Sequence, residues 1–158
     1  MRTVVDTSAL IASLNDDDVH NDAATALLGR ASEEGALLIN DPIYAELSVH
    51  FESHETLRAF LDDTGLIRGS LGAETCWLAG ERYRAYLQNR GHALACHECG
   101  HEATYECPNC GARVRSRQHI QSDFLIGAQA ECEADRLLTF DGGFFETYFD
   151  VATLSVRA

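Results

Sequence analysis

Two short apolar runs in this chain each stop at an aspartate. Thr3-Val4-Val5 ends at Asp6, and Leu137-Leu138-Thr139-Phe140 ends at Asp141. A third run, Ala36-Leu37-Leu38-Ile39, has the length of a short buried strand. Helical spacing fills the stretches between them, and strand alternating with helix argues an α/β fold. The spacing predicts a strand at residues 2–6 and a helix at 8–14 capped by Thr7 or Ser8. Helices follow at 21–31, at 54–63 with Gly65 as its stop, at 73–90 and at 123–134. Asp41-Pro42 predicts a helix start through an aspartate cap and a proline in the first turn. Strands are expected at 137–140 and within 151–156. In a parallel α/β sheet, strand ends and the starts of the following helices share one edge, where ligands bind.

Four acidic residues belong to that edge in this reading: Asp6, Glu46, Asp123 and Asp141. Carboxylates brought that close repel and raise each other's pKa. A hard divalent cation with oxygen ligands relieves the conflict, which points to metal-dependent phosphoryl-transfer chemistry. Taken singly, each acid is explained as well by a solvated surface or a helix cap.

At 158 residues the chain suits one domain, residues 1–158, with a full core. The aspartate at position 6 cuts the first apolar run short of a signal-peptide core, and no stretch reaches membrane-span length. The expectation is a soluble, cytoplasmic protein. Net charge is −13, unusual for a protein that handles a polyanion. The 12 basic residues are all arginine, and Arg82, Arg84, Arg90, Arg113, Arg115 and Arg117 cluster in one stretch. They form either a local positive patch for RNA or a set of surface pairs with nearby glutamates.

That stretch brackets an abrupt change in texture. Cys96, Cys99, Cys107 and Cys110 make a C-x2-C-x7-C-x2-C array in a segment almost without aliphatic side chains. Gly100 and Gly111 follow the second cysteine of each pair, where a sharp turn needs positive φ. Four thiolates suit a structural, coordinatively closed Zn²⁺. The competing reading is two disulfides. Residues 92–116 are therefore expected to be a small zinc-binding insert. Cys76 and Cys132 are expected to be small buried packing residues. Trp77, Tyr83 and Tyr86 suit either a dimer face or the core, and helical spacing favours the core.

Four strings carry a resemblance: Val4-Val5-Asp6-Thr7-Ser8-Ala9-Leu10, Ile43-Tyr44-Ala45-Glu46-Leu47, Ser122-Asp123-Phe124-Leu125-Ile126-Gly127-Ala128 and Leu138-Thr139-Phe140-Asp141-Gly142-Gly143-Phe144. In their order and spacing the chain resembles the PIN domain family, and within it the VapC-type toxins of toxin–antitoxin pairs. The resemblance implies a three-layer α/β/α fold with a mostly parallel sheet and RNA cleavage with Mg²⁺ or Mn²⁺. It assigns the metal-binding acids to Asp6, Glu46, Asp123 and Asp141, and supporting hydroxyls to Thr7 or Ser8 and to Thr139. It also implies a protein antitoxin and a homodimer. The cysteine insert is a departure from the family pattern. The alternative from another class is a non-catalytic RNA- or protein-binding module on the same fold with a structural zinc knuckle.

Overall fold

The computed structural model describes residues 1–89, 91, 93–95, 101–114 and 120–155. Its frame is a five-stranded sheet built from β1 (Arg2–Val5), β2 (Ala36–Ile39), β3 (Leu66–Arg68), β8 (Arg136–Leu138) and β9 (Ala152–Leu154). The strand order is β3-β2-β1-β8-β9, and every pairing is parallel. Register places Val4 beside Leu38 and Leu137. Val4, Val5, Ile39, Leu137 and Leu138 are fully buried, as strands covered on both faces require.

Helices α1 (Thr7–Leu14), α2 (Asn21–Glu34), α3 (Asp41–Leu47) and α4 (His54–Thr64) lie between β1 and β3 in the chain. Helices α5 (Ala73–Asn89), α6 (Gln121–Glu133) and α7 (Gly142–Tyr148) lie between β3 and β9. The first strand connections move one way along the sheet and the later ones move back. Right-handed crossovers then send the two groups of helices to opposite faces. The direction reverses between β1 and β8, so the crevice at their carboxyl ends is the switch point where such sheets bind ligands.

Several local details differ from the expectations. Asp6, not Thr7 or Ser8, is the N-cap of α1, and it makes no side-chain cap bond. Asn40 caps α3, its Oδ1 accepting from the Ile43 N–H at 3.1 Å. The expected aspartate cap, Asp41, instead accepts from Arg68 Nε at 2.7 Å. Gly65 does stop α4, at φ 69°. The sequence patterns gave no sign of β3 or α7. Cys76 and Cys132 are exposed, because α5 and α6 turn them away from the core. Trp77 is also exposed, at 67%, whereas Tyr86 is buried at 6% against Phe124.

In the segment expected as an insert, β4 (Leu94–Ala95) pairs antiparallel with β5 (Glu102–Ala103). Likewise β6 (Tyr105–Glu106) pairs antiparallel with β7 (Arg113–Val114). Cys96, Cys99, Gly100, Arg90, Arg115 and Arg117 lie outside the described residues. No described helix is long and apolar enough to cross a membrane.

Candidate active site

A cavity of about 230 Å³ opens at the switch point. Asp6, Glu46, Asp123 and Asp141 line it together with Thr7, Ser8, Phe144 and Phe145. Each acid arrives on a different segment. Asp6 follows β1, Asp141 opens α7, Glu46 rides on α3 and Asp123 sits in the first turn of α6. A cavity of about 340 Å³ elsewhere is lined mainly by side chains such as Leu10, Leu28, Leu37 and Phe60, which offer no ionisable group.

Hydroxyl groups hold two of these acids, Asp6 and Glu46. Asp6 Oδ2 accepts from Ser8 Oγ at 2.6 Å and from Thr139 Oγ1 at 2.8 Å. Thr139 is fully buried beneath the cavity, and its Oγ1 also accepts the Asp141 N–H at 3.0 Å. Ser8 Oγ accepts the Phe140 N–H at 3.2 Å. Thr7 Oγ1 donates to Glu46 Oε2. Asp123 Oδ2 accepts the Ile120 N–H at 2.8 Å, which closes the first turn of α6.

Asp6 is only 7% exposed, and burial raises its pKa above the ordinary aspartate value. The Ser8 and Thr139 hydroxyls and the Thr7 backbone N–H oppose that rise, while the charge of Glu46 adds to it. A desolvated carboxylate facing a second carboxylate is under the electrostatic strain that a cation relieves. The donor set of carboxylate and hydroxyl oxygens fits a hard divalent ion.

The acids share a wall without closing on one point. Among the described residues, no three His, Cys, Asp or Glu groups converge on one ion position. The sequence reading had gathered all four into a common cage. All four nonetheless line one cavity, and ligation by three or more requires side-chain rotation inward. Phe144 and Phe145 were not singled out from sequence. The signal available was an aromatic pair one turn after Asp141, which places rings against the acids.

The second cysteine pair is a tight turn. Cys107 N–H donates to Ala112 O at 2.8 Å, and Gly111 N–H donates to Cys107 O at 2.8 Å. Gly111 takes φ 70°, as the knuckle reading required. Backbone N–H groups of Asn109 and Cys110 point at the Cys107 sulfur and hold its pKa below the usual thiol value. Of the described arginines in the cluster, Arg82 pairs with Glu131 at 3.3 Å, while Arg84 and Arg113 are exposed.

The PIN domain family model matches residues 3–150. The chain belongs to the PIN domain family. That match takes in the strand ends that deliver Asp6 and Asp141, and the segment with the cysteine array lies inside it. Solved PIN-like structures share the fold. VapBC2 from Rickettsia felis, solved with a DNA fragment from its promoter, matches at TM-score 0.63 and 17% identity over 98% of both chains. Mycobacterium tuberculosis VapC20, a sarcin-ricin loop cleaving toxin, matches at TM-score 0.56 and 18% identity over 99% of both chains. No curated protein sequence matches significantly.

Proposed function

We propose that this PIN domain is a metal-dependent endoribonuclease, the toxin of a type II toxin–antitoxin pair, with a protein antitoxin as partner. The observation that carries the reading is the buried, hydroxyl-held Asp6 facing Glu46, Asp123 and Asp141 across one cavity at the switch point. A Mg²⁺ or Mn²⁺ ion held by those four acids would activate water for attack on phosphorus and offset charge on the leaving oxygen. Ser8 and Thr139 fix the rotamer of Asp6, and Thr7 does the same for Glu46. Glu46, half-buried, would serve as a further ligand or accept a proton from the attacking water. The likeness to the two VapC structures supports the toxin assignment. A homodimer belongs to the same reading, and the exposed indole of Trp77 gives a face on which to test it.

The test is cleavage of an RNA panel by pure, partner-free protein while Mn²⁺ is added and then chelated. Cleavage should rise with the ion, leave 5′-phosphate and 3′-hydroxyl ends, and return to background with chelator. RNA bound but never cut at any ion concentration would make this a binding module instead.

Residues 92–116 complete the proposal as an insert within a single domain spanning 1–158. Cys96, Cys99, Cys107 and Cys110 hold a structural Zn²⁺, supported by the array spacing and by the Gly111 turn. The exposed Arg84 and Arg113, with Arg90, Arg115, Arg117 and the anchored Arg82, form an arm against RNA. Metal analysis should find about one zinc per chain, lost in Cys107→Ser. An intact mass showing two disulfides and no zinc would remove the metal from the account.

A further inference from the structure

A second polar cavity, about 370 Å³, lies among Tyr44, His54, Arg58, Asp62 and Arg68. Helix α3 stands between it and the carboxylates. Tyr44 and Glu46 are two positions apart, about 200° around a helix of 3.6 residues per turn. One helix thus sends Glu46 to the acidic cavity and Tyr44 to this one. Arg68 ends β3, and its neighbour strand β2 leads directly into α3, so both cavities open at the carboxyl edge of the sheet.

The side chains here are arranged for more than surface solvation. The Arg68 guanidinium lies 4.2 Å from the Tyr44 ring centroid, and its Nε is bonded to Asp41 at 2.7 Å. Two anchors therefore hold a flat cation over an aromatic ring. His54 meets the same ring edge-on at 6.4 Å. Arg58 and Asp62 follow His54 at successive i+4 positions on α4, along one face of the helix.

The mixture of signs narrows the occupant. Asp41 and Asp62 disfavour a bare anion, and two arginines disfavour a metal ion. A nucleotide combines a flat stacking face, an edge with N–H donors and an anionic phosphate. The guanidinium–tyrosine pair offers a stacking platform, Asp62 and His54 can bond a base edge, and Arg58 can meet a phosphate. Bases in a duplex are already stacked and paired, so only an unstacked base can use such a platform.

We infer that Tyr44, Arg58 and Arg68, with His54 and Asp62, form a subsite for an unstacked nucleotide of single-stranded RNA flanking the scissile phosphate. This rests on the nuclease reading and names the strand form that the nuclease takes. About one helix diameter, roughly 10 Å, separates the two cavities, a gap that a short flanking stretch of backbone can cross.

The probe is a short single-stranded RNA carrying 2-aminopurine, whose fluorescence is quenched on stacking. Binding is measured in an Asp6→Asn background, and cleavage in the otherwise native protein. Arg58→Gln and Arg68→Gln, both on exposed side chains, should each weaken quenching and raise KM by about tenfold with kcat little changed. Tyr44→Phe should keep the quench, because the ring remains. In a duplex of the same sequence the probe is already quenched by its neighbours, and adding the protein should change it no further. Unchanged quenching and KM in both arginine variants would overturn the subsite while leaving cleavage intact. Quenching lost in those variants, with no cleavage by the native protein, would support the subsite and remove the nuclease reading. Absence of quenching by the Asp6→Asn protein itself would overturn the subsite outright.

Discussion

An Asp6→Asn protein is expected to lose RNA cleavage while melting higher than wild type in metal-free buffer. The activity should fall more than about a hundredfold, since even outer partners of a metal ligand are worth about 10–100-fold. The gain in stability follows from the raised pKa of Asp6. A carboxyl whose folded pKa lies above its unfolded value favours the fold only while protonated. That contribution is present below the unfolded value of 3.8 and is lost as pH rises through the folded value. At neutral pH, well above the unfolded value, burial of Asp6 therefore works against folding. Asparagine keeps a carbonyl oxygen for the Ser8 and Thr139 hydroxyls and carries no charge. The melting temperature at neutral pH should therefore rise. The difference between the proteins should close on acidification below the unfolded pKa. A mutant that melts lower than wild type at neutral pH would show that burial of Asp6 is not a strain on the fold.

Gly127→Ala should destabilise the protein by about 1–3 kcal/mol, the usual range for an overpacked core. A Cβ at Gly127 would lie 2.3–2.7 Å from three atoms of the Phe149 ring. That ring has little room to retreat. Phe149 is 5% exposed and packs on Phe124 and Phe145, with centroids 6.1 and 6.2 Å away. Gly127 sits on the same helix as Asp123, one turn further along, so the strain falls on an element that walls the acidic cavity. Thermal melting should show a drop of roughly 5 °C. The control is Gly80→Ala on α5, where no atom lies within 4 Å of the added carbon. There alanine should be neutral or stabilising by about 0.5–1 kcal/mol. Equal melting temperatures for Gly127→Ala and wild type would mean that the aromatic cluster is softer than its packing implies.

The strand ends were legible because each central strand is a continuous apolar run broken by one polar residue. Asp6 and Asp141 could be placed on that basis alone. β3 could not be, since only three residues pair and two of them are exposed. α7 begins with two glycines, which carry no helical signal of their own. For the α3 cap, Asn40 and Asp41 are chemically equivalent candidates in sequence. The structure gives the cap to Asn40 and turns Asp41 to Arg68, a residue 27 positions away. The same limit applies to the site. Sequence order brought four acids to one edge, but the hydroxyls and N–H that Asp6, Glu46 and Asp123 meet there come from pairings that only the fold sets.

The antiparallel packing of α5 on α6 has a consequence for the cysteine segment between them. Thr75, at the start of α5, bonds Glu133 at the end of α6, and Tyr83 and Tyr86 meet Phe124 near the other ends. The helix pair therefore clasps the two roots of that segment without help from whatever hangs beyond. Loop closure becomes harder only slowly with length, by about 0.6 kcal/mol per doubling. On the reading of residues 92–116 as an insert, lengthening or trimming it is expected to leave the sheet and its acids in place.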